Sequence, residues 1–85
     1  MTARTVAVVT GAGSPTGIGF ATARALARAG HCVLVVSTTE RIKDRAAELR
    51  AAGHEAHAIV ADLTIEPDVE RLHEHAAALG DVSVL

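Results

Sequence analysis

The fold is decided by the stretch Val6-Ala7-Val8-Val9-Thr10-Gly11-Ala12-Gly13-Ser14-Pro15-Thr16-Gly17-Ile18-Gly19. In it, a short apolar run ends in four glycines within nine residues, and a helical pattern begins directly afterwards. This order predicts a strand, a tight turn and a helix N-terminus, whose unpaired N–H groups and positive dipole end attract an anion. Because glycine has no Cβ, a phosphate can approach the backbone closely. The stretch therefore predicts a site for the diphosphate of a nucleotide.

The composition excludes several classes of function. The 85 residues suffice for one small domain, and they carry a net charge of −2 with no basic run, so we expect no nucleic-acid partner. The apolar runs Val6–Val9 and Cys32–Val36 are too short to span a bilayer, and the N-terminus is not organised as a signal peptide, so we expect no membrane partner. Cys32 is the single cysteine, which precludes an internal disulfide and favours a reducing, cytoplasmic setting.

The rest of the chain alternates between apolar runs and helical patterns. We predict strands at Thr5–Thr10, Cys32–Val36, Glu55–Ala61 and Val82–Leu85, and helices at Gly17–Ala29, at Glu40–Ala52 and from Thr64 to Gly80. Strands that alternate with helices imply right-handed crossovers and a parallel sheet, so the fold class is α/β. The last strand is cut off part-way, so we expect residues 1–85 to be the N-terminal part of a single truncated domain, with a complete small domain as the alternative.

Side-chain spacing predicts which face of the first helix is packed and where the helices are capped. One face of that helix carries arginines, and we expect the other, apolar face to be buried. The apolar face consists of Ile18, Ala21, Ala25 and Leu26. The hydroxyls of Ser37-Thr38-Thr39 are candidates to cap the second helix, and that of Thr64 to cap the third.

The spacing of the glycines indicates which type of phosphate-binding turn this chain has. The dinucleotide pattern G-x-G-x-x-G/A, started at Gly11, places Thr16 at its third conserved position, and a Walker-type loop fails because no Lys follows the glycines. The stretch from Gly13 to Gly19 instead resembles the G-x-x-x-G-I-G part of the turn in the short-chain dehydrogenase/reductase family. Thr10-Gly11 resembles that family's strand-ending Thr-Gly, two residues early.

The turn is thus similar to the family's turn with a two-residue insertion that contains Pro15. Either Gly11 or Gly13 can take the role of the first glycine, and the position at the strand end favours Gly11. A turn that merely joins a strand to a helix is the alternative, but it leaves three glycines without a reason, each at an entropic cost.

The resemblance continues after the predicted third strand. Family members have an acidic residue there, often followed by Val or Leu, and this chain has Asp62-Leu63. The resemblance implies that the Asp62 carboxylate accepts a hydrogen bond from the adenine amino group and that Leu63 contributes backbone contacts. The alternative is that Asp62 ends the strand and caps a turn, as Asp often does.

The end of the predicted second strand bears on the choice between NAD and NADP. An acidic residue there would bind the ribose hydroxyls of NAD and repel the 2′-phosphate of NADP, and this chain has Ser37, Thr38 and Thr39 instead. Hydroxyls can hydrogen-bond a phosphate, and Arg41 is within reach, although Thr16 and Thr38 stand where NADP-binding family members commonly have basic residues. We therefore expect NADP rather than NAD.

The resemblance covers Thr5 to Leu85 and implies a Rossmann-type doubly wound parallel sheet, of which this βαβαβαβ chain is the N-terminal half. It implies a cofactor-binding set of Gly11, Ser14, Thr16, Gly17, Ile18, Gly19, Ser37, Thr38, Thr39, Asp62 and Leu63. It also implies an enzyme, a homo-tetramer or homo-dimer, that transfers a hydride between nicotinamide and the carbonyl or alcohol carbon of a small-molecule substrate. The family's catalytic Ser, Tyr and Lys come later, and the chain contains no tyrosine, so no catalytic residue is assigned and the fragment alone is expected to be inactive.

Two other functions stay open, and no metal site is predicted. A non-catalytic module could keep the turn and sense a dinucleotide. S-adenosylmethionine methyltransferases also combine a parallel α/β fold with a glycine turn, although they usually need an acid where this chain has Ser37. The five histidines form no pair with metal-ligand geometry, and Cys32 is expected to be a small core residue.

Overall fold

The computed structural model describes residues 5–11, 13 and 17–84 as alternating strands and helices. The strands are β1 (Thr5–Thr10), β2 (Cys32–Ser37), β3 (Ala56–Val60) and β4 (Asp81–Val84), and the helices are α1 (Ile18–Arg28), α2 (Arg41–Ala51) and α3 (Glu66–Leu79). Every predicted element is present, with its ends shifted by no more than two residues. Among the described residues, no helix combines the length and the hydropathy needed to cross a membrane.

The strands form one parallel sheet in the order β3-β2-β1-β4. After β1 the chain adds β2 and β3 toward one edge, and it then crosses back to place β4 on the other side of β1. This strand order confirms the predicted α/β fold. It is the order found in the N-terminal half of a Rossmann-type doubly wound sheet.

Each face of the sheet carries its own apolar core. On one face, α1 and α2 pack against β1 and β2, and their buried contact residues are Phe20, Ala23, Ala27, Ile42, Ala46 and Leu49. On the other face, α3 packs through Leu72 and Ala76. Because the central strands β1 and β2 are covered on both faces, their sequences are continuous apolar runs rather than alternating ones.

The packed face of α1 differs from the expected one. The buried residues of α1 are Phe20, Ala23 and Ala27. Of the predicted packed face, Ile18 is 87% exposed and Ala21 and Ala25 are exposed, so the prediction is wrong for these three residues, and only Leu26 packs against the core. Alanines dominate this helix, and hydropathy therefore distinguishes its faces weakly. The one aromatic ring decides the orientation, because burying Phe20 removes far more apolar surface from water than burying any alanine.

The predicted side-chain caps of α2 and α3 are also wrong. Glu40 is the N-cap residue of α2 and Ile65 that of α3, and neither makes a side-chain cap hydrogen bond. At the start of α2, backbone oxygens close the first turn, since the Ile42 N–H donates to the Thr39 carbonyl oxygen at 3.3 Å. The hydroxyl of Thr64 is engaged elsewhere, in the turn described below.

Candidate functional site

The C-terminal ends of β1, β2 and β3 meet at one edge of the sheet. Ser37 is level with Val60, and the Ala61 N–H donates to the Ser37 carbonyl oxygen at 2.9 Å. The glycine turn after β1, the hydroxyls at the end of β2 and Asp62 after β3 therefore share this edge. Because β2 and β4 lie on opposite sides of β1, this is also a topological switch point, where open parallel sheets bind ligands.

Gly11 makes the turn at the end of β1. Its φ of +68° lies in the left-handed region, which side chains other than glycine rarely adopt. A Cβ at this position would meet no atom within 4 Å, so the need for glycine here is conformational rather than steric. The predicted ligands Ser14 and Thr16 lie outside the described residues.

The constraint on Gly13 is a different one, which is space. It is buried, and a Cβ placed on it would lie 2.8 Å from Ser37 Oγ and 3.9 Å from Thr39 Oγ1. The backbone of the turn thus lies directly on the end of β2. Gly13 was not in the predicted cofactor-binding set, and its place in the glycine motif was the sequence signal for this close approach. Gly11 and Gly13 thus meet separate structural constraints, one of conformation and one of space.

The N-terminus of α1 follows the turn. Gly17 is its N-cap residue, with φ −79° and ψ 162°, and it makes no side-chain cap hydrogen bond. The first helical turn contains no acidic residue, so no carboxylate there offsets the positive end of the helix dipole. Ile18 points its side chain into solvent, and Gly19 is half-buried. This helix end therefore offers backbone N–H groups and positive potential to an anion.

The end of β2 presents hydroxyl groups to the same edge. Ser37 is half-buried, while Thr38 and Thr39 are exposed. The next residue, Glu40, forms an exposed ion pair with Lys43 at 2.8 Å. Arg41, the first residue of α2, is exposed. No carboxylate therefore stands at the tip of the strand itself, where one would disfavour a bound phosphate.

Asp62 and Thr64 form a hydrogen-bonded turn after β3. The N–H and the hydroxyl of Thr64 donate to Asp62 Oδ1 at 2.9 and 2.6 Å, and the Asp62 N–H donates to Asp68 Oδ2 at 2.8 Å. The Thr64 hydroxyl, followed by the Thr64 N–H, holds the pKa of Asp62 below its ordinary value. Asp62 thus caps a turn, and the same bonds keep its carboxylate ionised and oriented. Leu63, beside it, is 43% exposed.

The sequence model of the family described as short chain dehydrogenase matches residues 5–85. The chain belongs to the short-chain dehydrogenase/reductase family. It is 48% identical over 84 residues to a cis-4-hydroxycyclohexanecarboxylate dehydrogenase of Sinomonas cyclohexanicum. This alignment covers 98% of this chain and 33% of the relative. The chain is 46% identical over 81 residues to a 1-deoxy-11-beta-hydroxypentalenate dehydrogenase of Streptomyces exfoliatus, covering 93% of this chain and 29% of the relative. The chain thus spans about a third of the length of these curated relatives.

Solved structures of family members have the same architecture. A metagenomic short-chain oxidoreductase in complex with NADP superposes with a TM-score of 0.84 at 36% identity, over 95% of this chain and 37% of that chain. A variant of actinorhodin polyketide ketoreductase with NADPH superposes with a TM-score of 0.85 at 36% identity, over 94% of this chain and 31% of that chain. The fold described here is therefore shared with short-chain dehydrogenases/reductases whose structures contain NADP or NADPH.

Proposed function

We propose that the intact protein is an NAD(P)-dependent oxidoreductase that transfers a hydride between nicotinamide and a carbonyl or alcohol carbon, and that this chain supplies the dinucleotide-binding half. The observation that carries the proposal is the contact between Gly13 and Ser37, because it seats the glycine turn on the end of β2 at the switch point of the sheet. When bound, the nicotinamide cofactor supplies or accepts the hydride, and the residues of this chain bind and orient it.

The diphosphate is proposed to lie over the turn, against the start of α1. Gly11 directs the chain away from β1, and Gly17 begins the helix without a side chain that would occupy the space in front of its N–H groups. An anion at such a helix end gains about 0.3–1 kcal/mol from the dipole, in addition to its hydrogen bonds. The proposed contacts on this side are Gly11, Ser14, Thr16, Gly17, Ile18 and Gly19.

The adenosine part is proposed to lie along the ends of β2 and β3. Thr64 fixes Asp62 through Oδ1, and we assign Oδ2 to accept the adenine amino group, with Leu63 contributing its backbone. Ser37, Thr38 and Thr39 are proposed to hydrogen-bond the ribose and its 2′-phosphate. The preference for NADP over NAD is supported by the absence of a carboxylate at positions 37–39 and by the NADP and NADPH in related structures.

The chemistry itself is assigned to later residues of the intact protein. The curated relatives are about three times as long as this chain, which contains no tyrosine. An apolar groove of about 660 Å³ lies between β1, β4 and α3, and Val69 and Val82 on its walls are 41% and 45% exposed. We propose that later residues cover this groove and supply the acid–base group and substrate pocket. A homo-dimeric or homo-tetrameric assembly and a cytoplasmic location are part of the same proposal.

Calorimetric titration of the intact protein with NADPH, NADH and S-adenosylmethionine tests the assignment. We expect NADPH to bind more tightly than NADH and S-adenosylmethionine not to bind. Binding of S-adenosylmethionine alone would replace the proposal with a methyltransferase. Binding of NADPH without turnover of any carbonyl or alcohol in a broad substrate panel would favour a dinucleotide sensor instead.

A further inference from the structure

A second cluster of chemically active side chains lies at the opposite end of the sheet. Cys32 is the first residue of β2, Glu55 directly precedes β3, and His57 lies within β3. One atom from each of these side chains, the thiol sulfur, a carboxylate oxygen and an imidazole nitrogen, lies within 4.8 Å of the other two. His57 Nε2 and Glu55 Oε2 are 3.3 Å apart.

The strand register brings these side chains to one face. Leu34 of β2 pairs with His57 of β3, and the Val33 N–H donates to the Glu55 carbonyl oxygen at 3.1 Å. Side chains alternate along a strand, so Cys32 shares the face of Leu34, and Glu55 and His57 share the face of Ile59. Leu34 and Ile59 belong to the same core under α3, so all three groups lie on that face of the sheet.

The separations suit a small tetrahedral ion. Zinc binds sulfur at about 2.3 Å and nitrogen or oxygen at about 2.0–2.2 Å, which requires neighbouring ligand atoms to be roughly 3.3–3.8 Å apart. The three candidate ligand atoms lie within 4.8 Å of one another, and the pair His57 Nε2 and Glu55 Oε2, at 3.3 Å, falls in that range. Thiolate and imidazole together favour zinc over magnesium or calcium, which prefer oxygen ligands. A thiolate and a carboxylate carry two negative charges, which a divalent cation neutralises.

We propose that Cys32, Glu55 and His57 bind Zn²⁺, with water as the fourth ligand. Cys32 is 2% exposed, whereas the side chains of Glu55 and His57 are 43% and 37% exposed, so the ion would enter from solvent and bind at the margin of the core. It would join β2 to the beginning of β3, two segments that are separated in sequence by α2. Cys32 stands at the opposite end of β2 from Ser37, about 16 Å away at roughly 3.3 Å per residue. The proposed zinc site is therefore separate from the proposed cofactor site.

Cobalt substitution in the intact protein tests the proposal directly. Co²⁺ bound through Cys32 gives a thiolate-to-cobalt charge-transfer absorption in the near ultraviolet, and we expect Zn²⁺ to displace it at one equivalent. Cys32→Ser should abolish the band. His57→Gln and Glu55→Gln alter more exposed side chains, so they should preserve folding while each weakens Zn²⁺ binding by at least about tenfold.

His54→Gln is the matched control, because His54 lies on the same segment and outside the cluster. It should leave the cobalt band and the zinc affinity unchanged. Each of the four variants, provided that it folds, should bind NADPH as the unaltered protein does. Failure of the zinc proposal can therefore be distinguished from failure of the proposed function. Cobalt binding without a charge-transfer band, a band that survives Cys32→Ser, or unchanged zinc affinity in both His57→Gln and Glu55→Gln would overturn the proposal.

Discussion

A Cβ atom at Gly13 would lie 2.8 Å from the hydroxyl oxygen of Ser37, closer than real Cβ contacts occur. The glycine turn and the end of β2 therefore touch with no space between them. In the proposed cofactor site, the turn faces the diphosphate and Ser37 faces the ribose. The diphosphate and the adjoining ribose of the cofactor would thus be positioned by one shared contact.

This contact predicts a coupling between two substitutions. Gly13→Ala should lower the free energy of unfolding of the intact protein by about 1–3 kcal/mol, because the added methyl group overpacks a closed space. In a Ser37→Ala background the same change should cost less, since the nearest atom is gone. Denaturant unfolding of the four proteins in this cycle should give a coupling of at least about 0.5 kcal/mol. Simple additivity would show that the contact is not made.

The sequence predicted those parts of the molecule in which local chemistry decides the outcome. The glycine turn, the apolar strands and the turn at Asp62 are set by backbone conformation, by burial on two faces and by short-range hydrogen bonds. These requirements leave residue patterns that are visible in a single sequence. Their relative placement then follows from the handedness of the crossovers and from the register of a parallel sheet.

The sequence did not predict features that depend on competition between similar groups or on long-range pairing. In α1, many alanines left both faces plausible, and the burial of Phe20 rather than Ile18 was settled by packing. Thr64 could cap α3 or bond to Asp62, and the structure shows the second choice. The proximity of Cys32 to Glu55 arises only from the pairing of β2 with β3, which no local pattern encodes.

Gly17→Val should weaken NADPH binding by about a hundredfold or more while leaving the protein folded. The backbone of Gly17 is extended, at φ −79° and ψ 162°, so valine can adopt it without strain. The valine side chain would occupy the space proposed for the diphosphate, and each charge-assisted hydrogen bond displaced costs about 1.5–3 kcal/mol. Calorimetry measures the affinity, and circular dichroism checks the fold.

Gly17→Ala provides the graded comparison for this test. Its single methyl group should cause a smaller loss of affinity than valine does, because it extends less far in front of the helix. Equal NADPH affinity in all three proteins would mean that the diphosphate does not lie at the start of α1.

Ser37→Asp should reverse the preference from NADPH to NADH. A carboxylate about 4 Å from the 2′-phosphate costs about 1–4 kcal/mol for each pair of unit charges, depending on solvent screening, so the affinity ratio should change by about tenfold or more. Ser37→Asn adds a similar volume without the charge and should leave the ratio nearly unchanged. Parallel titrations with the two cofactors measure it. Equal losses for both cofactors in Ser37→Asp would remove Ser37 from the 2′-phosphate site.

Thr64→Val should raise the pKa of Asp62 toward its ordinary value, because it removes the hydroxyl that donates to Oδ1 at 2.6 Å and keeps the side-chain shape. A carboxyl whose folded pKa is lowered stabilises the fold above the unfolded value of about 3.9, and that contribution is lost as the pH falls through the folded pKa. The stability difference between the unaltered protein and Thr64→Val should therefore shrink on acidification. Carboxyl NMR titration of Asp62 and denaturant unfolding at neutral and acidic pH measure the two effects.

Thr22→Val is the matched control for this substitution. The Thr22 hydroxyl donates to the Ile18 carbonyl oxygen at 2.9 Å and contacts no carboxylate in that bond, so the same chemical change should leave the pKa of Asp62 where it is. Its effect on stability should also be independent of pH. If Thr64→Val left the pKa of Asp62 unchanged, or if its stability deficit were constant from neutral to acidic pH, the Thr64 hydroxyl would not be what keeps Asp62 ionised. Asp62, the residue proposed to bind adenine, would then have to be oriented by another donor. The remaining donor in this turn is the Thr64 N–H, which lies 2.9 Å from the same oxygen.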